Sequence, residues 1–195
     1  MNKKTGKNLV ILVIVIFLII CGGFYLVKKD EISAKKTMEK YLEELKNGKF
    51  SSKGLGQDLE NNVEQKELDE NPFIKKYYSN LKYKTLKTKK DSKDVIIEME
   101  ISNKDFSVVL TEYMKISLEL SMNNLSQNLS RKELDKKINK HFEEKFNIDN
   151  VNVKTNVVKI KMEKRDNNWI VKEESKNDLV NALMPGMKEI TENIK

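Results

Sequence analysis

The sequence predicts an α+β protein in two parts: an N-terminal membrane segment, then a curved antiparallel sheet packed on helices. Three observations carry that prediction. Residues 9–27 form an unbroken uncharged run. Two later stretches alternate apolar and polar residues with the period of half-buried strands. The segments around and between them repeat apolar residues every three or four positions, as amphipathic helices do. The 195 residues suit one domain plus a short appendage, not two full cores. The expected division is 1–29 for the membrane segment and 30–195 for the domain.

The run from Leu9 to Val27 carries Lys3, Lys4 and Lys7 before it and Lys28 and Lys29 after it. As a helix at about 1.5 Å per residue it would span about 28 Å, close to the hydrocarbon thickness of a bilayer. Two readings stand side by side. One is an uncleaved signal-anchor, continued through Phe24, Tyr25, Leu26 and Val27, with the C-terminal domain outside the cell membrane. The other is a bacterial lipoprotein signal, with Leu18-Ile19-Ile20-Cys21-Gly22 resembling a lipobox and Cys21 as the lipid attachment point. Ile20 is larger than the small residue usual before such a cysteine.

Ser33 opens a helical pattern with Met38, Tyr41, Leu42 and Leu45 on one face, stopped at Asn47-Gly48. Residues 51–56 read as a loop, and Leu59, Val63 and Leu68 as an acidic helix. Asn71-Pro72 starts a short helix to Tyr78, because proline suits a first turn. Leu81, Tyr83 and Thr85 then alternate with lysines. Past the turn at Lys90-Asp91-Ser92-Lys93, Val95, Ile97, Met99 and Ile101 alternate with Ile96, Glu98 and Glu100, so the two strands form a hairpin with one buried face.

Residues 105–129 fit a helix through Val109, Tyr113, Ile116 and Leu120, capped by Asp105 or Ser107. They also fit a strand through Ile116, Leu118, Leu120 and Met122; the length of the stretch favours the helix. Ser130 and Glu133 make a capping box before Leu134, Ile138, Phe142 and Phe146. Residues 151–164 return to strand, with Val158, Ile160 and Met162 on one face. Asp166-Asn167-Asn168 suits a tight turn into Trp169-Ile170-Val171. Asn177-Asp178 caps a last helix, Leu179 to Met184, ended by Pro185-Gly186. Six methionines, Met99, Met114, Met122, Met162, Met184 and Met187, are expected to fill gaps in the core.

Composition excludes several functions. The formal charge is +7, but residues 1–29 hold five lysines and no acid, leaving +2 on the rest. Arg131 and Arg165 are the only arginines. A domain so balanced is not expected to bind nucleic acid. The abundance of lysine and asparagine fits an AT-rich genome. One cysteine and one histidine leave no disulfide framework, no Cys-based zinc site and no two-histidine metal motif. His141 sits on a charged helix and reads as a surface residue. Glu98 and Glu100 share one strand face and are expected to meet lysines and water. The acidic run from Asp58 to Glu70 lacks an EF-hand pattern. No catalytic residue, cofactor or metal is expected.

Three stretches, Lys36–Phe50, Ile101–Ser107 and Val158–Leu183 centred on Lys164-Arg165-Asp166-Asn167-Asn168-Trp169-Ile170-Val171, resemble the cystatin-like cone of the nuclear transport factor 2-like superfamily. The resemblance is to membrane-anchored proteins and lipoproteins of low-GC Gram-positive bacteria. It implies a cone-shaped fold and no particular activity. Tyr83, Phe106, Tyr113 and Trp169 are then candidates to line the cone, or to fill it. The expected function is a membrane-tethered, non-enzymatic interaction or scaffold domain outside the membrane, such as an assembly component of a conjugation or secretion machine. Its partners would be the membrane and other envelope proteins. The alternative is a surface lipoprotein holding a small molecule or peptide in the cone.

Overall fold

The computed structural model describes residues 28–49, 71–124 and 129–192. Residues 1–27 of the expected membrane segment 1–29, with Cys21, and the expected loop at 51–56 and acidic helix at 59–68 lie outside the described residues. No helix among those described is long and apolar enough to cross a membrane.

The first described helix, α1, covers 28–46 and ends where Gly48 adopts φ +70. It is helical five residues before Ser33, the expected start. Residues 28–32 are polar on most faces, so their helicity leaves little periodic signal. Contacts supply the reason for it: Asp30 pairs with Lys90 and Lys164, and Glu31 accepts from the Lys90 amide. Helix α2, Pro72–Tyr78, is capped by Asn71, whose side chain accepts from the amides of Phe73 and Ile74.

Strands β1 (Lys82–Asp91), β2 (Asp94–Lys104), β3 (Val153–Arg165) and β4 (Asn168–Val171) form one antiparallel sheet in the order β1-β2-β3-β4. Both hairpin turns lie where the sequence places them, with positive φ at Ser92 and at Asp166-Asn167. Register follows side-chain period: Ile97 lies opposite Ile160, and Met99 opposite Val158, on the inner face. Leu86 is an extra residue that breaks the β1 ladder between Thr85 and Lys87.

Between β2 and β3 the chain makes α3 (Phe106–Asn124) and α4 (Arg131–Lys145). The helical reading of 105–129 is therefore the observed one, and Asp105 accepts from the Ser107 amide at its start. The capping box of Ser130 and Glu133 is present. After β4, α5 covers Glu173–Leu183 and α6 covers Met187–Glu192. Helix α5 starts six residues before the expected Leu179, at Lys172, whose side chain makes no cap. It starts there because the strand ends there: Ser175 on its first turn accepts from the Lys161 amide of β3. Helix α6 has no counterpart in the sequence reading.

The core lies between the inner face of the sheet and α1 and α5. Met38 and Leu42 of α1, Leu179 and Leu183 of α5 and the inward residues Val95, Ile97, Met99, Ile101, Ile160 and Met162 are all buried. Met99 and Met162 fill this core as expected, and Met184 packs against it. Met114 and Met122 do not: they are 59% and 64% exposed. Val109, Tyr113, Ile116 and Leu120 take the inner side of α3, so residues at 114, 118 and 122 fall on its outer side.

Candidate functional site

The four candidate lining residues do not gather around one cavity. Phe106 packs edge-on to Tyr77, and Tyr113 stacks at 4.5 Å on Phe73. These contacts seat α3 on α2, and Phe142 of α4 joins them from the third side. Tyr83 is on β1, its hydroxyl donating to the Glu39 carbonyl and the Glu43 carboxylate of α1. Trp169 is buried under the β3–β4 turn, with the Lys164 ammonium 6.0 Å from the ring centre. The aromatics are therefore packing residues. The sequence reading separated filling from lining poorly, because both put aromatics at the same period.

Several of the titratable groups have structural partners. His141 is half-buried on α4, and Glu144, one turn on, pairs with Lys140. Glu98 lies between Lys87 of β1 and Lys159 of β3 in register, on the outer face as expected. Buried Lys104 donates to the carbonyls of Asp149 and Val151, both at 2.9 Å. The Tyr77 hydroxyl reaches the carbonyls of Lys104 and Leu183, and burial pushes its pKa far above the ordinary value. Burial would raise the Asp94 carboxyl, but the hydrogen bond from Lys172 and the charges of Lys172, Lys161 and Lys93 outweigh it. Asp105 is likewise held low against its burial by Lys154 and Ser107. No group of three or more metal-ligating side chains occurs among the described residues.

A groove of about 440 Å³ runs along the outer edge of β3. Residues 156–159 form one wall, and Asp178, Asn181 and Ala182 of α5 the other. Its origin is a mismatch of strand lengths. Strand β3 has 13 residues and β4 has four, pairing only with Met162 to Arg165. Below that, the Lys172 amide donates to the Lys161 carbonyl and Ser175 takes the Lys161 amide. Lys161 thus turns both backbone groups away from β2, and the period of two carries that orientation to Lys159, Val157, Thr155 and Val153. At the far end, the Asp105 amide donates to the Asn152 carbonyl, which fixes the same phase independently.

The edge from Val153 to Lys159 therefore has outward amides and carbonyls with no strand beside it among the described residues. Val153 and Val157 are 56% and 57% exposed on its outer face, where strand residues normally turn polar. The sequence held the signal: Val153, Val157 and Val158 break the simple alternation of β3. Only the shortness of β4 turns that pattern into an open edge.

No protein-family model matches the chain, and no curated protein matches it. Among solved structures, the chain is similar to a crystal structure of a proposed lipoprotein, YcdA, from Bacillus subtilis, at 16% sequence identity and a TM-score of 0.47. The match covers 79% of this chain and 57% of that one, so the chain spans little more than half of that protein's length.

Proposed function

We propose that the chain is a membrane-tethered interaction domain outside the cytoplasmic membrane, without catalytic activity, serving as a component of an envelope assembly. The observation that carries this reading is the groove beside a β3 edge that has no strand next to it among the described residues. Such an edge offers backbone hydrogen bonds to an added strand, with apolar side chains at alternate positions to select it. The aromatics that would form a ligand cavity are instead spent on packing. The buried polar groups Asp94, Lys104, Asp105 and Tyr77 are tied to structural partners.

The tether would leave the domain at one end of the sheet. Asp30, near the start of α1, pairs with Lys90 and Lys164 beside the two hairpin turns. The open edge begins about 20 Å down β3 from that end, at about 3.3 Å per residue.

Three measurements test the reading. Protease added to intact Gram-positive cells making the full-length chain should digest the domain; full protection would place it inside and end the proposal. In the same cells, Cys21→Ser should leave the chain full-length and membrane-bound if the uncharged run is the anchor. Release, or an unprocessed precursor, would instead assign attachment to lipid on Cys21. A photo-crosslinker at position 157 should link the chain to protein, and one at position 84 on the opposite edge should not. Equal labelling at both positions would remove the role of the groove.

A further inference from the structure

We infer that the open edge of β3 is occupied by the same edge of a second copy of this chain, paired antiparallel about a two-fold axis at Thr155. The inference rests on the interaction reading above and names the partner. It comes from the order of residues along the edge. With the two-fold at Thr155, Val153 of each copy lies opposite Val157 of the other, and Thr155 lies opposite itself. Aliphatic and Thr–Thr cross-strand pairs are both favourable. All three outer-face positions are then matched, and no lysine faces a lysine.

The backbone phase agrees with the same register. Val153, Thr155 and Val157 all point their amides and carbonyls outward, so residues opposite one another in this pairing exchange hydrogen bonds. The Thr155 hydroxyl already lies 2.8 Å from that of Ser102. Pairing would extend this contact into a four-hydroxyl row across both copies. On the inner side, the partner's Lys154 falls opposite Asn156 and keeps its own ion pairs to Asp105 and Glu189, so no like charges meet there.

The symmetry also suits two tethered chains. A two-fold relating antiparallel strands of one continuous sheet runs normal to that sheet. It leaves both α1 helices on the same face. Both chains can then run toward a single membrane lying parallel to the eight-stranded sheet.

Cross-linking in membranes of the full chain tests the register. In a Cys21→Ser background, Thr155→Cys should form a disulfide-linked dimer, because paired strand residues lie about 5.5 Å apart, within disulfide reach. Val153→Cys and Val157→Cys should each fail alone, since identical residues would be about 13 Å apart along the strands. Co-expressed, those two should cross-link to one another. Adding Val157→Pro to Thr155→Cys removes one outward amide and should abolish the dimer while leaving the β2–β3 ladder intact. Equal dimer yields from all three single cysteines would mark random collision and overturn the inference. A detergent-solubilised chain that scatters light as a monomer, with no Thr155→Cys dimer in membranes, would also overturn it. If position 157 still photo-crosslinks to a different protein in that case, the interaction reading survives and only the self-pairing falls. Dimers without any protease-accessible domain would do the reverse.

Discussion

The two edges of the sheet are built differently, and the difference separates a surface that is closed from one that is open. At β1, α1 runs alongside the strand. Glu31 accepts the Lys90 amide at 2.8 Å, Glu39 accepts from Thr85 at 2.8 Å, and Leu86 bulges the ladder. Lys82, Lys84, Lys87 and Lys89 are exposed along it. Bulges, charges and a covering helix are the devices that keep a strand from pairing with strangers. At β3, β4 closes only the upper part, and Ser175 closes one more amide. From Lys159 down to Val153 there is no bulge and no proline, and two valines face water.

The largest expected effect concerns the strand that closes the upper part of β3. Trp169→Ala removes the buried side chain that holds β4 down and should cost about 3–5 kcal/mol in chemical unfolding. An unchanged midpoint would mean that β4 is held by something other than its core residue, and the contrast between upper and lower β3 would lose its basis.

The next effect compares single edge amides. Glu31→Ala takes a charged acceptor from the Lys90 amide and should cost about 1.5–3 kcal/mol; Ser175→Ala takes a neutral one from Lys161 and should cost about 1 kcal/mol. Hydrogen exchange at Lys90 and Lys161 should rise in the matching variant alone. Equal exchange of both amides before mutation would show that neither edge is closed by its side-chain acceptor.

The smallest effect is the most telling for the open edge. Val157→Lys gives β3 the kind of residue that β1 already has. Because the position is exposed in a single copy, unfolding measured where the chain is monomeric should change by no more than about 0.5 kcal/mol. A loss of several kcal/mol would mean that Val157 is covered within a single copy, and the edge would not be open.

Several features were legible in the sequence because they follow from local rules. The N-cap of Asn71, the capping box at Ser130, the turns at Ser92 and Asp166-Asn167, and the buried face of β2 need only neighbours a few residues away. The helix over 105–129 was also legible, since its length exceeds that of a strand. The early starts of α1 and α5 were not. Residues 28–32 and 173–178 are helical because distant groups hold them, Lys90 and Lys164 in one case and the Lys161 amide in the other. Periodicity carries no trace of such partners.

The sequence by itself determined the α+β class, the two hairpins and the inner face of the sheet. These depend on residue type and period alone. Only the tertiary structure decided which aromatics fill and which would line, because Phe106 and Tyr113 have one periodicity whether they meet Tyr77 and Phe73 or an empty cavity. It also decided where the surface is open. An edge is a property of two strand lengths taken together: β3 extends past β4, and neither segment states on its own that Val153 to Lys159 will have no strand beside them among the described residues.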